Sequence, residues 1–253
     1  DRGLIAPGQR ADIVLLNDLN SCDVAQVIAG GRLVDDALFE ARRMPTPIGY
    51  ASVKLKKVDA SIFRVPANGP TGPVIGLREG QVLTDFLTMS LPYRDGERLV
   101  DLANDVIKVC VLERHGKSGS VGRGFVKGLK LPQGAIASSI GHDSHNVCVV
   151  GSDDQDMAVA VNRLIELGGG FVLVHGGKVL AEMPLPLAGL MSDRDFRTVA
   201  TEIKGLRRAV RELGCPLAEP FLQMAFLPLP VIPHLKITDL GLVDVDKFEL
   251  IAA

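Results

Sequence analysis

An α+β, or mixed α/β, fold is what this 253-residue chain predicts, and three observations carry it. Short apolar runs of strand length recur along the chain, as in Val106–Leu112 and Val147–Val150. Two Gly-Gly pairs, Gly30-Gly31 and Gly176-Gly177, each divide two apolar runs. That is a tight-hairpin signal, because both turn residues must take positive φ. Two other segments repeat apolar residues at intervals of three and four, which is the spacing of one helix face.

From the N-terminus, Ala11–Leu16 is a strand-like run, and Val27–Ala29 with Arg32–Val34 flanks the first Gly-Gly pair. A Pro- and Gly-containing break at Met44–Gly49 marks a domain boundary, dividing 1–46 from 47–253. Strands resume over Ala51–Val58, Val82–Leu91 and Val106–Leu112. The glycine-rich stretch Gly116, Gly119, Gly122, Gly124 and Gly128 reads as a flexible or tightly turned loop. The short runs Ala135–Ser139 and Val147–Val150 are buried strands.

The first main helix starts at Ser152, with Gln155 in the capping-box position, and carries the apolar stripe Met157, Val161, Leu164 and Ile165. Gly168–Gly170 stops it. The second starts at Ser192 or Asp193 and carries the stripe Phe196, Val199, Ile203, Leu206, Val210 and Leu213. The tail from Pro216 holds five prolines and is expected to be mostly irregular, packed as an apolar strap over a core.

Composition excludes several functions. Lys+Arg is 28 against Asp+Glu 30, a formal net charge of −2, so there is no basic surface for a nucleic-acid backbone. There is no Trp and only two Tyr, so no base-stacking platform is expected. No apolar run approaches the roughly 20 residues of a membrane span. Cys22, Cys110, Cys148 and Cys215 form no CxxC, and Cys110 and Cys148 lie inside apolar strands, so a reducing cytoplasm is expected. The opening Asp1-Arg2-Gly3 has neither an initiator Met nor a signal segment and reads as an entry partway into a longer chain.

The chemical inventory is mostly negative. The five histidines, His115, His142, His145, His175 and His234, form no HxH or HExxH, and there is no PCxxC or GxSxG. Gly119, Gly122 and Gly124 spell G-x-x-G-x-G, which is neither a P-loop nor a dinucleotide fingerprint, although Lys117, Arg123 and Lys127 keep a phosphate cradle open as an alternative. Asp153, Asp154 and Asp156 sit in a first helical turn, where carboxylates stabilise the dipole. His175 is expected on an exposed hairpin, and His234 has a structural role.

The densest polar cluster is His142, Asp143, Ser144, His145 and Asn146, between two apolar strands. Such a loop can bind metal, relay protons or hydrogen-bond a heterocycle. It can equally be a turn in which Asp143 and Asn146 satisfy backbone groups. Glu113 and His115 close another strand in a similar position and converge with it if both loops lie on one sheet edge.

Six segments resemble a known family. Gly3–Leu16 is similar to the segment that comes after the barrel in amidohydrolase-superfamily enzymes, where the chain returns into a small β-sandwich. Gly124–Gly128, Ala137–Asn146, Asp156–Gly170, Pro184–Ser192 and Leu229–Lys236, in that order, resemble the C-terminal part of bacterial adenine deaminases. The resemblance implies hydrolysis of adenine to hypoxanthine and ammonia in purine salvage. It also implies a divalent metal pair, manganese or iron or else zinc, held by a barrel upstream of the matching segment. No metal ligand and no catalytic residue therefore carries over onto this chain, which is expected to be inactive and metal-free alone. The expected partners are adenine, the barrel in the same or a separate chain, and further copies in a homo-oligomer. Two other readings stay open: a barrel-capping or oligomerisation module, and a purine-binding regulatory domain.

Overall fold

A computed structural model describes residues 1–40 and 48–253. The chain divides into two compact units, residues 1–46 and 47–253. The expected break at Met44–Gly49 falls largely on 41–47, outside the described residues.

The first unit holds strands β1 (Ile13–Asp18), β2 (Asp23–Ala29) and β3 (Arg32–Leu33), and then a short helix, α1 (Asp36–Glu40). The strands form one antiparallel sheet in the order β1-β2-β3. Gly30 and Gly31 make the β2–β3 turn at φ +56° and +76°. Asp12 reaches back to accept the Gly30 N–H at 2.6 Å, which pins the hairpin to the start of β1.

The second unit is built on an eight-stranded sheet. Its strands are β5 (Thr71–Leu77), β6 (Thr84–Ser90), β9 (Val106–Leu112), β10 (Val121–Lys127), β11 (Ala135–Ser138), β12 (Val147–Gly151), β13 (Gly170–His175) and β14 (Lys178–Pro184). Between them lie the short strands β4 (Val65–Pro66), β7 (Tyr93–Arg94) and β8 (Glu97–Arg98), which make a small sheet of their own. The large sheet runs β14-β13-β11-β12-β9-β10-β5-β6. Only β5 and β10 pair in parallel; the other neighbours are antiparallel. The α+β expectation holds.

The alternation of strand side chains decides what covers each face. On one face Cys110, Leu112, Ala135, Ala137, Val147 and Val149 pack against helix α2 (Asp154–Leu167) and Phe63 of a 3₁₀ turn. On the other, Val109, Val111, Ile136, Cys148 and Val150 pack against helix α3 (Phe196–Glu212), helix α4 (Pro220–Ala225) and the chain beyond them. Every residue of β9 is buried, including Lys108, whose Nζ meets both oxygens of Asp154 at 2.7 Å. The buried thiols of Cys110 and Cys148 are free, and burial pushes each up to about 12. Cys215 is also free and buried, while Cys22 is free and exposed.

Several local expectations are corrected. The α2 cap is Asp153, which accepts the Asp156 N–H at 2.9 Å, whereas the Ser152 hydroxyl turns to the Gly134 carbonyl. Helix α3 starts at Phe196, because Asp195 caps it through the N–H groups of Arg197 and Thr198. Its stripe is buried only at the C-terminal end, at Leu206, Val210 and Leu213; Phe196 is exposed. Residues 51–58 form no strand: Lys54 N–H donates to the Arg114 carbonyl and Val58 N–H to the Asn162 side chain, rather than to a ladder. Strand β6 begins at Thr84, two residues late, and the Val82 carbonyl instead accepts from Lys236.

The largest corrections concern the glycine stretch and the tail. Gly122 and Gly124 lie inside β10, not in a loop. The tail contains helix α4, with Pro220 at its first turn, and the antiparallel strands β15 (Leu235–Thr238), β16 (Gly241–Asp244) and β17 (Glu249–Ile251). A proline is tolerated at a helix start, where its missing N–H would be unpaired anyway. The β15–β16 hairpin packs on β10, and the glycines let it approach. A Cβ on Gly122 would lie 1.8 Å from the Thr238 carbonyl oxygen, and one on Gly124 would lie 2.9 Å from Leu242.

Candidate functional site

Sheet register builds the site. Leu112, the last residue of β9, pairs with Val147, the first of β12. Residues 113–115 therefore leave the sheet where 142–146 enter it, on one edge. The two segments touch directly: His115 Nε2 lies 2.8 Å from the Ser144 carbonyl oxygen.

Glu113 does not face outward. Its carboxylate accepts backbone N–H groups from His115 at 2.5 Å, Lys117 at 2.9 Å, and Ser118 and Gly119 at 3.1 Å each. Burial opposes its charge, but these four donors hold the carboxyl below its usual range. It shapes the loop after β9.

Arg114 is the hub of the cluster. It is buried, and its N–H donates to Asn146 Oδ1 at 3.2 Å. Its guanidinium donates to the His145 carbonyl, to Ser52 Oγ at 3.1 Å and to the Ala188 carbonyl at 2.9 Å. All these acceptors are neutral, so a positive charge stands beneath the histidine loop.

The loop itself is held at both ends. His142 N–H donates to the Ala225 carbonyl at 2.9 Å, and its ring stacks on Phe226 with centroids 4.9 Å apart and planes at 28°. The His142 and His145 rings stand 6.2 Å apart. His145 N–H donates to the Gly141 carbonyl at 2.7 Å, and its Nδ1 is buried without a hydrogen-bond partner among the described residues. Burial, then the charge of Arg114, lowers its pKa and so favours the neutral imidazole. Asn146 is buried, and its Nδ2 donates to Asp239 at 3.0 Å; the same carboxylate accepts from Ser120 Oγ at 2.5 Å. Asp143 projects into solvent, and Ser144 is exposed.

The fold thus brings His115, His142 and His145 to one edge above Arg114. It uses Glu113 and Asn146 inside the loops. The arrangement can donate and accept hydrogen bonds to a polar heterocycle. It does not fit a metal pair: among the described residues no three His, Cys, Asp or Glu side chains gather as a metal-holding group. The aspartates at the start of α2 serve structure. Asp153 caps, Asp154 pairs with Lys108, and Asp156 accepts the Gly176 and Gly177 N–H groups of the β13–β14 turn at 3.0 and 2.7 Å. His175 beside that turn is half-buried, and His234 pairs with Asp246 at 2.6 Å.

Sequence reasoning missed Arg114, Phe226 and Asp239. An arginine two residues beyond the apolar run Val109–Leu112 was a visible signal for the first. Phe226 and Asp239 lie far from the loop in sequence, and nothing local marks them.

Comparison with known proteins gives the class first: a C-terminal domain family. Residues 81–249 match the family described as "Adenine deaminase C-terminal domain", and the chain belongs to that family. It is 60% identical over 253 residues to "Adenine deaminase" of Methylobacterium nodulans, covering 99% of this chain and 44% of that protein. It is 56% identical over 246 residues to "Adenine deaminase" of Gluconobacter oxydans, covering 97% and 44%. It is 54% identical over 251 residues to "Adenine deaminase 1" of Agrobacterium fabrum, covering 99% and 44%. The chain spans less than half the length of these curated relatives. Among the described residues no helix is long and apolar enough to cross a membrane.

Proposed function

We propose that this chain is the C-terminal portion of a cytoplasmic enzyme that hydrolyses adenine to hypoxanthine and ammonia in purine salvage, and that its histidine loop faces the substrate or closes over the catalytic barrel. The observation that carries the reading is the identity of 54–60% along essentially the whole chain to proteins named adenine deaminase. In this reading residues 1–46 complete a β-sandwich of the amidohydrolase type, and 47–253 form the appended domain. The barrel supplies the divalent metal pair and the catalytic groups. The whole enzyme is a homo-oligomer.

Within this chain, His142, His145 and His115 are the groups proposed to meet a purine edge, and Asp143 and Ser144 are exposed beside them. A neutral His145 can accept or donate a hydrogen bond without adding charge. The test compares the 253-residue chain with the longer enzyme, each given adenine and Mn²⁺, by ammonia release. Turnover only in the longer enzyme supports the reading. Turnover by the purified chain above a buffer control, surviving repurification, contradicts it.

A further inference from the structure

We infer that the β15–β16 hairpin is the positioning element of the histidine loop, acting through Lys236 on one end of the loop and Asp239 on the other. This rests on the proposed role of that loop.

The hairpin is itself fixed on the sheet. Leu235 to Thr238 pair with Asp244 to Gly241, and the close approach to Gly122 and Gly124 admits no side chain between them. Lys236 is fully buried, yet its Nζ meets only carbonyl oxygens, Val82 at 2.8 Å and Phe226 at 3.1 Å. Burying an ammonium without a carboxylate is costly. What it secures is the C-terminal end of α4, where a cation suits the unpaired carbonyls. That end holds His142 twice, through the Ala225 carbonyl and the Phe226 ring.

Asp239 lies three residues on, in the hairpin turn. It holds Asn146 and Ser120 together. Asn146 in turn accepts from the Arg114 N–H, and Arg114 donates to the His145 carbonyl. Both ends of the loop are thus gripped from one hairpin. Lys236 and Asp239 are positioning residues, since neither is placed against a ligand.

The test separates placement from chemistry. In the 253-residue chain, the imidazole ¹H and ¹³C resonances of His142 and His145 report placement, because His142 sits in the ring-current field of Phe226. Lys236→Met is expected to move the His142 signals toward free-imidazole values, and Asp239→Ala to move those of His145. Asp239→Asn keeps an acceptor oxygen and is expected to restore them. In the longer enzyme, Lys236→Met and Asp239→Ala are expected to lower kcat/KM for adenine about tenfold, as misplacement of a contacting group does, and Asp239→Asn to recover most of it. Folded variants with unmoved histidine signals overturn the inference. Moved signals with unchanged kinetics uphold the positioning and overturn the proposed role of the loop. If Lys236→Met does not fold, the two Asp239 variants decide alone.

Discussion

The sheet of residues 13–33 and the sheet of residues 71–184 are written in the same sequence vocabulary, yet they end in opposite states. Val14 and Val24, in β1 and β2, are 55% and 51% exposed, and no described apolar residue before Phe63 is buried. In the larger sheet Val109, Ile136 and Val149 are wholly buried, with helices and chain on both faces. The elements that accompany the strands make the difference. The large sheet is covered by α2, α3, α4 and the tail, and among the described residues the small one has only the five-residue α1 within its unit. Strand signals specify strands; burial needs a second layer, which a three-stranded sheet of a few residues each does not supply to itself.

Substitutions in the two sheets put this contrast at risk. The largest effect is expected at Gly122→Ala in β10. The new methyl group would strike the Thr238 backbone and push the β15–β16 hairpin off the sheet. A loss of about 3 kcal/mol or more is expected in urea unfolding, and an unchanged midpoint would remove the hairpin from its assigned place. Next, Ile136→Ala in β11 is expected to cost about 3 kcal/mol by emptying a position packed on the α3 and α4 face.

A smaller effect comes from pH. Burial pulls Lys236 from its usual 10.5 to about 8. Between those values the unfolded chain binds a proton that the folded protein has released. The Lys236 contribution to stability therefore rises with pH from about 8 to 10.5, by at most about 1.4 kcal/mol per pH unit, and is flat below 8, while the buried thiols of Cys110 and Cys148, pushed up to about 12, pull total stability the other way above about 9. Lys236→Met should remove this contribution, so the difference in stability between wild type and variant isolates it. A wild-type-minus-variant difference that does not rise through that window would contradict the buried-amine description.

The smallest effect is expected at Val24→Ala in β2, within about 0.5 kcal/mol for the 253-residue chain. The same change in the longer enzyme should cost more, since the proposed β-sandwich covers that face. Equal, small costs in both settings would leave the small sheet without the partner assigned to it.

Much of this fold was legible because local signals and burial agreed. The Gly176-Gly177 hairpin, the α2 stripe Met157, Val161 and Leu164, and the buried Cys110 and Cys148 come directly from turn chemistry and periodicity. The failure at the glycine stretch has a distant cause, a partner that outweighs the local pattern. Gly122 and Gly124 look like loop residues until a hairpin far along the chain needs the space of their missing side chains. Prolines 216–233 look like irregular chain, yet Pro220 opens a helix. The candidate site was half legible. The polar loop His142–Asn146 and the neighbouring Glu113 and His115 stood out, but the bonds that hold them come from Arg114, Phe226 and Asp239. Glu113, expected to converge on the histidine loop, is instead saturated by its own loop in the fold.

The most direct measurement is adenine deamination by the longer enzyme carrying His142→Ala and His145→Ala together. Thermal unfolding confirms first that the double variant is folded. The expected result is a kcat/KM at least about tenfold lower, the scale on which losing a hydrogen-bonding or general acid–base group shows. A folded double variant with unchanged kcat and KM would deny the loop any part in the reaction and return it to a purely structural role.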